Sequence, residues 1–474
     1  MKNNQIRLKD IIGYGTGGVG ENIAGNLFYT YFIFFLTSVA GINPAVAGTI
    51  SLFAVAWDAI SDPIIGYLND RYKGHLLGRN FGKRSTFMVG GAIPLGISVF
   101  LLFCNVEMGE TMKIIYFVVI NIVFWLFYTV VDIPYVAVAS EITDDYDVKA
   151  KMRTSVMVFS IFAQMLLSYG VMEFLDRMQE MGKSDTLTFR IVGAVFGVIT
   201  AVSFIAAGCS LKGKEKDNSV SADSAERASV GVFRDIFDLF RLKQFVIVVL
   251  MAFAFNLWLG IFNSSLIYFL SFTFGFDNGE IALLNLWPTL ISIIFIVPMG
   301  NFVVKFGRKA GLMTAFLYMV FFAIVMTLFR PPAVVVVLLI AGIDLATSVY
   351  WITIFTMNFD VSEIYLFKYE KNREGLMVSI TSFSGKMGVA VGMWLCGVLM
   401  QLLHVDPSAA VVSDAMSDGM RIIFAVIPGI VALAAAVLCA LYKVSKKNIA
   451  AVEEAQRLKD EGKAYSTQGF ERIL

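Results

Sequence analysis

Apolar residues fill the chain in twelve long stretches, near 11–39, 45–68, 86–105, 112–140, 154–175, 188–211, 244–274, 280–304, 310–329, 332–357, 376–403 and 419–442. A helix crosses a bilayer with about 20 apolar residues, and each stretch reaches that length. Lipid offers the backbone no hydrogen-bond partners, so spans of this kind close their bonds internally as helices. The pattern predicts an all-α membrane protein with twelve transmembrane helices. Composition agrees, with 57% hydrophobic and 16% charged residues, where soluble proteins carry about 25% charged. The first ten residues are polar and no small-residue cleavage site follows them, so the first stretch is expected to stay as a span.

Charge placement sets the expected orientation. With the N-terminus in the cytoplasm, 31 of the 38 Lys and Arg residues fall on cytoplasmic segments, 6 fall on the opposite side, and Lys386 lies inside a span. That bias is the positive-inside pattern and predicts both termini on the cytoplasmic side of a cell membrane. The polar, Ser- and Ala-rich run after Lys212 divides the spans. Residues 1–211 and 244–442 are expected to form two six-helix bundles, and 443–474 a cytoplasmic tail. Within the 212–243 linker, Phe233, Phe237 and Phe240 share one face while Arg234, Asp235, Asp238 and Arg241 lie elsewhere. That predicts a short amphipathic helix on the membrane surface. The four cysteines lie in apolar stretches without short spacing, which excludes a disulfide framework or Cys-based metal motif.

The chemistry is concentrated in a few buried charges. Asp58 and Asp62, in Trp57-Asp58-Ala59-Ile60-Ser61-Asp62-Pro63, are four residues apart and share a helix face. A charge at the centre of a span costs roughly 2.5–3.5 kcal/mol, and such residues mark ion or substrate paths. Two acids on one face need a cation, a proton or a cavity. Asp132 lies in an otherwise apolar span, two residues before Pro134, and Lys386 is the one basic group well inside a span. Three acids against one base leave negative charge in excess, which favours a transported cation over a purely structural ion-pair cluster. Asp344 is a further acid within a span, without a partner pattern. Gly15-Thr16-Gly17-Gly18-Val19-Gly20 matches a dinucleotide fingerprint literally but opens a membrane span rather than a βαβ unit; small residues there suit close helix packing. No Walker motif or nucleophile–base spacing points to an enzyme, and no nucleic-acid partner is expected.

After the second span come Asp70-Arg71 and Phe81-Gly82-Lys83-Arg84; after the eighth come Val304-Lys305 and Phe306-Gly307-Arg308-Lys309. The second copy resembles the compact basic loop of the major facilitator superfamily, and the first resembles it with an insertion around His75. Two copies match a duplicated six-helix unit. Together with Gly13-Tyr14-Gly15, Asp58 through Pro63, Tyr128 through Pro134, and Trp351 through Lys386, the chain resembles the glycoside–pentoside–hexuronide:cation symporters, of the melibiose permease type. The resemblance covers essentially the whole chain.

That resemblance implies the major facilitator fold and a cation site at Asp58 and Asp62 with Thr129, beside Ser61. It implies a solute site at Asn22, Tyr29, Tyr128, Asp132, Trp351 and Lys386, with Trp351 stacking on a ring face. It implies gating by Asp70, Arg71, Arg308 and Lys309. The expected activity is alternating-access import of a sugar or glycoside with Na⁺ or H⁺, by a monomer in a bacterial inner membrane, with no cofactor beyond the transported cation. Three positions depart from the permease pattern: Asn22 stands for a sugar-gripping aspartate, Ser61 for an asparagine and Val136 for a tryptophan, while Arg153 is out of register with a sugar-binding arginine. The alternatives are a cation-coupled carrier of a sugar acid, a sulfonated sugar or an amphipathic solute, or an exporter of the same superfamily.

Overall fold

The computed structural model describes residues 6–71, 82–143, 146–214, 232–371, 373–407, 412–461, 463–467 and 470–473. Twelve of its helices are long and apolar enough to cross a membrane. In chain order these are α1 (Leu8–Val39), α2 (Pro44–Arg71), α3 (Lys83–Leu102), α4 (Glu110–Ile142), α5 (Tyr146–Glu180) and α6 (Asp185–Ser210). The linker contributes α7 (Val232–Phe240). Then follow α8 (Lys243–Phe274), α9 (Asn278–Phe306), α10 (Arg308–Leu328), α11 (Ala333–Tyr369), α12 (Glu374–Leu402) and α13 (Asp414–Leu441). A tail helix, α14 (Lys446–Asp460), ends the series. The span expected near 332–357 runs twelve residues further, to Tyr369. Polar residues end an apolar stretch without ending a helix, and this one stops only where Glu370 takes a left-handed φ of 57°.

The chain divides by its contacts into two compact units. One comprises Met1–Ala222, Leu270–Leu286 and Met393–Met416; the other comprises Asp223–Phe269, Trp287–Gly392 and Ser417–Leu474. In the first unit, α1 packs on α5 and α6, while α4 lies against α2 and α3. The glycine run of α1 makes its packing possible. A Cβ on Gly15 would lie 2.0 Å from the Ser155 hydroxyl of α5, and one on Gly20 would lie 2.6 Å from that of Ser203 on α6. The run is a packing surface, as its place at the head of a span suggested. Beside it the Tyr14 hydroxyl donates to the Tyr135 carbonyl at 3.0 Å and the Tyr135 hydroxyl donates back at 3.2 Å.

α1 is not a uniform helix. Its backbone widens to π geometry over Leu27–Tyr31 and again over Phe35–Val39. Such segments recur at functional sites because the extra residue per turn re-aims the side chains around it. Tyr29 sits in the first of them.

In the second unit, α10 packs against α11 and α13, and α14 lies on α11. The linker helix differs from its expectation in one respect. Phe237 and Phe240 are exposed, as a membrane-facing side requires, but Asp235 is 1% exposed. Its carboxylate accepts from Lys371 Nζ at 2.9 Å and from Arg373 Nε at 2.7 Å. The polar side therefore docks on the connection between α11 and α12. The tail also packs: Phe470 is 1% exposed, with its ring 5.3 Å from that of Phe367. The four cysteines are free.

Candidate cation and solute site

α2 carries Asp58, Ser61 and Asp62, and α4 carries Thr129 opposite them. The Thr129 hydroxyl oxygen lies 2.9 Å from Asp58 Oδ1 and 3.1 Å from Asp62 Oδ1. The Ser61 hydroxyl donates to the Asp58 carbonyl at 3.1 Å and lies 3.5 Å from Thr129 Oγ1. Asp58 is 0% exposed, Thr129 1% and Ser61 3%. The i, i+4 spacing of the acids produces this grouping, since it turns both carboxylates to the helix that faces them.

A hydroxyl has one proton to donate. Thr129 therefore satisfies one carboxylate as a donor and meets the other with an oxygen. Two carboxylates thus meet at one buried hydroxyl, a cluster of oxygens of the kind that a proton or a cation could join. Four oxygen-bearing side chains in apolar helices are hard ligands of the kind alkali cations take.

The other residues expected from sequence fall in two places. In the first unit, Asn22 and Tyr29 lie on α1, and Tyr128 and Asp132 on α4. Tyr29 is within electrostatic range of Asp58, Asp62 and Asp132, and Tyr128 of Asp132, Tyr29 and Asp58. The first unit thus gathers both the acid pair and the expected solute contacts of α1 and α4. Arg153 of α5 lies within range of Glu21 and Tyr14. Val136, where the resemblance has an aromatic, is exposed.

In the second unit, Trp351 is 45% exposed and stands edge-on to Tyr350 and Phe255, with ring centroids 5.1 and 6.2 Å away. Tyr350 and Phe255 stack at 3.5 Å, and Asn256 Nδ2 donates to the Tyr350 hydroxyl at 3.0 Å. This layer holds the half-exposed Trp351 ring edge-on to its two aromatic neighbours. Lys386 follows Gly385 on α12, where a Cβ at Gly385 would come within 3.0 Å of Asn256 Nδ2.

Of the residues expected to gate, Arg308 pairs with Asp360 of α11 and donates to the Thr356 carbonyl at 3.2 Å. Lys309 donates to the carbonyls of Ala440, at 2.9 Å, and Tyr442, at 2.5 Å. Both tie α10 to helices of its own unit. Asp70 and Arg71 close α2, but their side chains, and His75, lie outside the described residues.

Sequence reasoning missed Trp125. Its ring lies 5.8 Å from that of Tyr29 and 5.3 Å from that of Tyr128, so it joins the two tyrosines. Its spacing of three and seven residues from Tyr128 and Asp132, which puts all three on one helix face, was the available signal.

Twelve apolar helices make this a multi-pass membrane protein, and its family and relatives are transporters rather than enzymes. The chain belongs to the MFS/sugar transport protein family, whose model matches residues 13–446. It is 25% identical over 465 residues to the Escherichia coli inner membrane symporter YicJ, covering 96% of both chains. It is 22% identical over 401 residues to the isoprimeverose transporter of Lactiplantibacillus pentosus, covering 84% of this chain and 81% of that one. Among solved structures, a D-xylose–proton symporter superposes with a TM-score of 0.61 at 15% identity, covering 91% of this chain and 96% of that one. The fold is that of the major facilitators.

Proposed function

We propose that the protein is a symporter that couples the entry of Na⁺ or H⁺ to the import of a sugar or glycoside by alternating access. The observation that carries this reading is the single Thr129 hydroxyl held within 2.9 and 3.1 Å of two carboxylates on an apolar helix. The cation binds Asp58 and Asp62, with Thr129 and Ser61 completing its oxygen ligands. Cancelling their charge makes the apolar surroundings cheap to close around the site. Asn22, Tyr128 and Asp132 bond the solute's hydroxyls and Tyr29 lines the same face, while Trp351 and Lys386 are the solute contacts that the second unit contributes. Arg308 and Lys309 act at the gate with Asp70 and Arg71. The protein works as a monomer in a bacterial inner membrane, with both termini cytoplasmic. Relatives named as an inner membrane symporter and an isoprimeverose transporter support this reading.

The driving force suffices. One monovalent cation crossing 100 mV yields about 2.3 kcal/mol, and a tenfold cation gradient adds about 1.4 kcal/mol. Together they hold a solute gradient of roughly 500-fold.

The test is accumulation in vesicles under an imposed ion gradient. Wild-type protein concentrates a sugar in response to Na⁺, Li⁺ or pH, and Asp58→Cys does not. Accumulation by Asp58→Cys would remove the cation site, and indifference to all three ions would remove coupling. Asn22→Asp, which restores a carboxylate where the resemblance has one, is expected to reorder the sugar preference.

A further inference from the structure

Asn121, Trp125, Tyr128 and Asp132 of α4 are spaced by four, three and four residues, which sets them on one helix face. The reading above uses only the last two as solute contacts. Asn121 is 1% exposed, and neither its Oδ1 nor its Nδ2 has a hydrogen-bond partner among the described residues. Trp125 is also 1% exposed, and its indole N–H is likewise without a partner there. A buried polar group left unmet bears its full desolvation cost, and such groups are rare in native proteins. Here two occur one turn apart, on the face that already carries Tyr128 and Asp132.

Their chemistry is specific. The carboxamide offers two donors and one acceptor, and the indole one donor. No charge is present and donors outnumber acceptors, which suits hydroxyl and ether oxygens. The Trp125 ring is itself enclosed, edge-on to Phe28, Phe124 and Tyr128 and tilted to Tyr29, so what it can offer a ligand is its N–H donor. The stripe is also long. Eleven residues separate Asn121 from Asp132, a rise of about 16 Å along a helix. One pyranose ring bonded at Asp132 does not reach that far, whereas a second ring linked to it extends along the stripe.

Resting on the reading that the α4 face binds a sugar, we propose that Asn121 and Trp125 form a second solute subsite, which takes the second ring of a disaccharide. The occupant is neutral and hydroxyl-bearing, and the protein prefers a two-ring substrate to either of its single rings.

The experiment uses the full chain in vesicles, energised with Na⁺ and proton gradients. Its probes are paired: glucose with cellobiose, xylose with xylobiose, and galactose with lactose. Wild-type protein is expected to favour one disaccharide over its monosaccharide. Trp125→Phe keeps the ring and removes the donor, and Asn121→Leu keeps the volume and removes all polarity. Each is expected to lower the ratio of disaccharide to monosaccharide affinity about tenfold, the worth of one hydrogen bond. A ratio within twofold of wild type in both variants overturns the subsite and leaves internal water as the partner of these groups, as does a wild-type preference for the monosaccharide. Failure of the wild type to move any sugar is a different result: it removes the sugar reading itself, and the subsite with it. Melting the ligand-free protein provides the control. Asn121→Leu loses only a solvation cost and should melt at or above the wild-type temperature. A lower melting point in this variant, together with equal losses for both sugars, overturns the proposal in favour of a packing role.

Discussion

The two units use polar residues inside apolar helices in different ways. In the first, two carboxylates share one threonine hydroxyl, and Asn121 and Trp125 present groups that nothing among the described residues completes. In the second, Asn256 bonds Tyr350, Thr381 donates to Asn358 Oδ1 at 2.9 Å, and the Ser384 hydroxyl donates to the Val249 carbonyl at 3.0 Å. Among the described residues the second unit also leaves buried polar atoms unmet, Asn358 Nδ2 and the Thr353 hydroxyl among them, so what sets the first unit apart is the acid pair on α2. Duplication of a scaffold therefore does not require duplication of a site. The buried charge of α2 has no counterpart on α9, where the apolar run ends in Phe302, Lys305 and Phe306.

This contrast predicts which property each substitution changes. The largest effect belongs to Asp58→Asn, with Asp62→Asn close behind. Vesicle accumulation of roughly 500-fold capacity should fall to simple equilibration. Thr129→Val should come next, weakening cation binding about tenfold through one lost hydrogen bond. Thr129→Ser should retain most of the affinity, as titration of the ion dependence of uptake will show. In the second unit, Trp351→Ala should weaken the solute by about fivefold, near the stacking worth of an aromatic face, with a smaller change in the ion titration. A larger ion effect from Trp351 than from Thr129 would erase the contrast.

The smallest effect concerns the clasp on the linker helix. The hydrogen bond from Lys371, aided by that from Arg373, holds the Asp235 carboxyl below its ordinary value of 3.8. A depressed carboxyl contributes stability above its unfolded value and loses it as pH falls through the folded one. Asp235→Asn should therefore lower the melting temperature at neutral pH, by about 1 kcal/mol of stability. The gap between variant and wild type should close as pH drops below about 3.8. A gap that stays constant from pH 7 to pH 3 would mean that the ionised form is not what docks the helix.

Much of this was legible beforehand, because lipid makes strong demands. Twelve apolar stretches announce twelve spans, and two acids four apart announce one helix face. What the chain hid has physical reasons too. The π segment under Tyr29 leaves no mark in hydropathy, since one extra residue per turn does not alter an all-apolar stretch. Asn121 reads as a lone polar residue in an apolar run until its lack of partners is visible. Asp235 looked like part of a solvated face because its cations, Lys371 and Arg373, lie more than 130 residues away in the chain.

The length of α11 has one more consequence. Its 37 residues rise about 55 Å, against a hydrocarbon thickness of about 30 Å. Even a strongly leaning rod of that size protrudes, and its last turns serve as a post. α14 is bolted to that post by the ion pair of Lys459 with Glu370 at 2.7 Å. A spectroscopic label on the exposed Glu454 thus becomes a pointer that reports the swing of a membrane helix from outside the membrane.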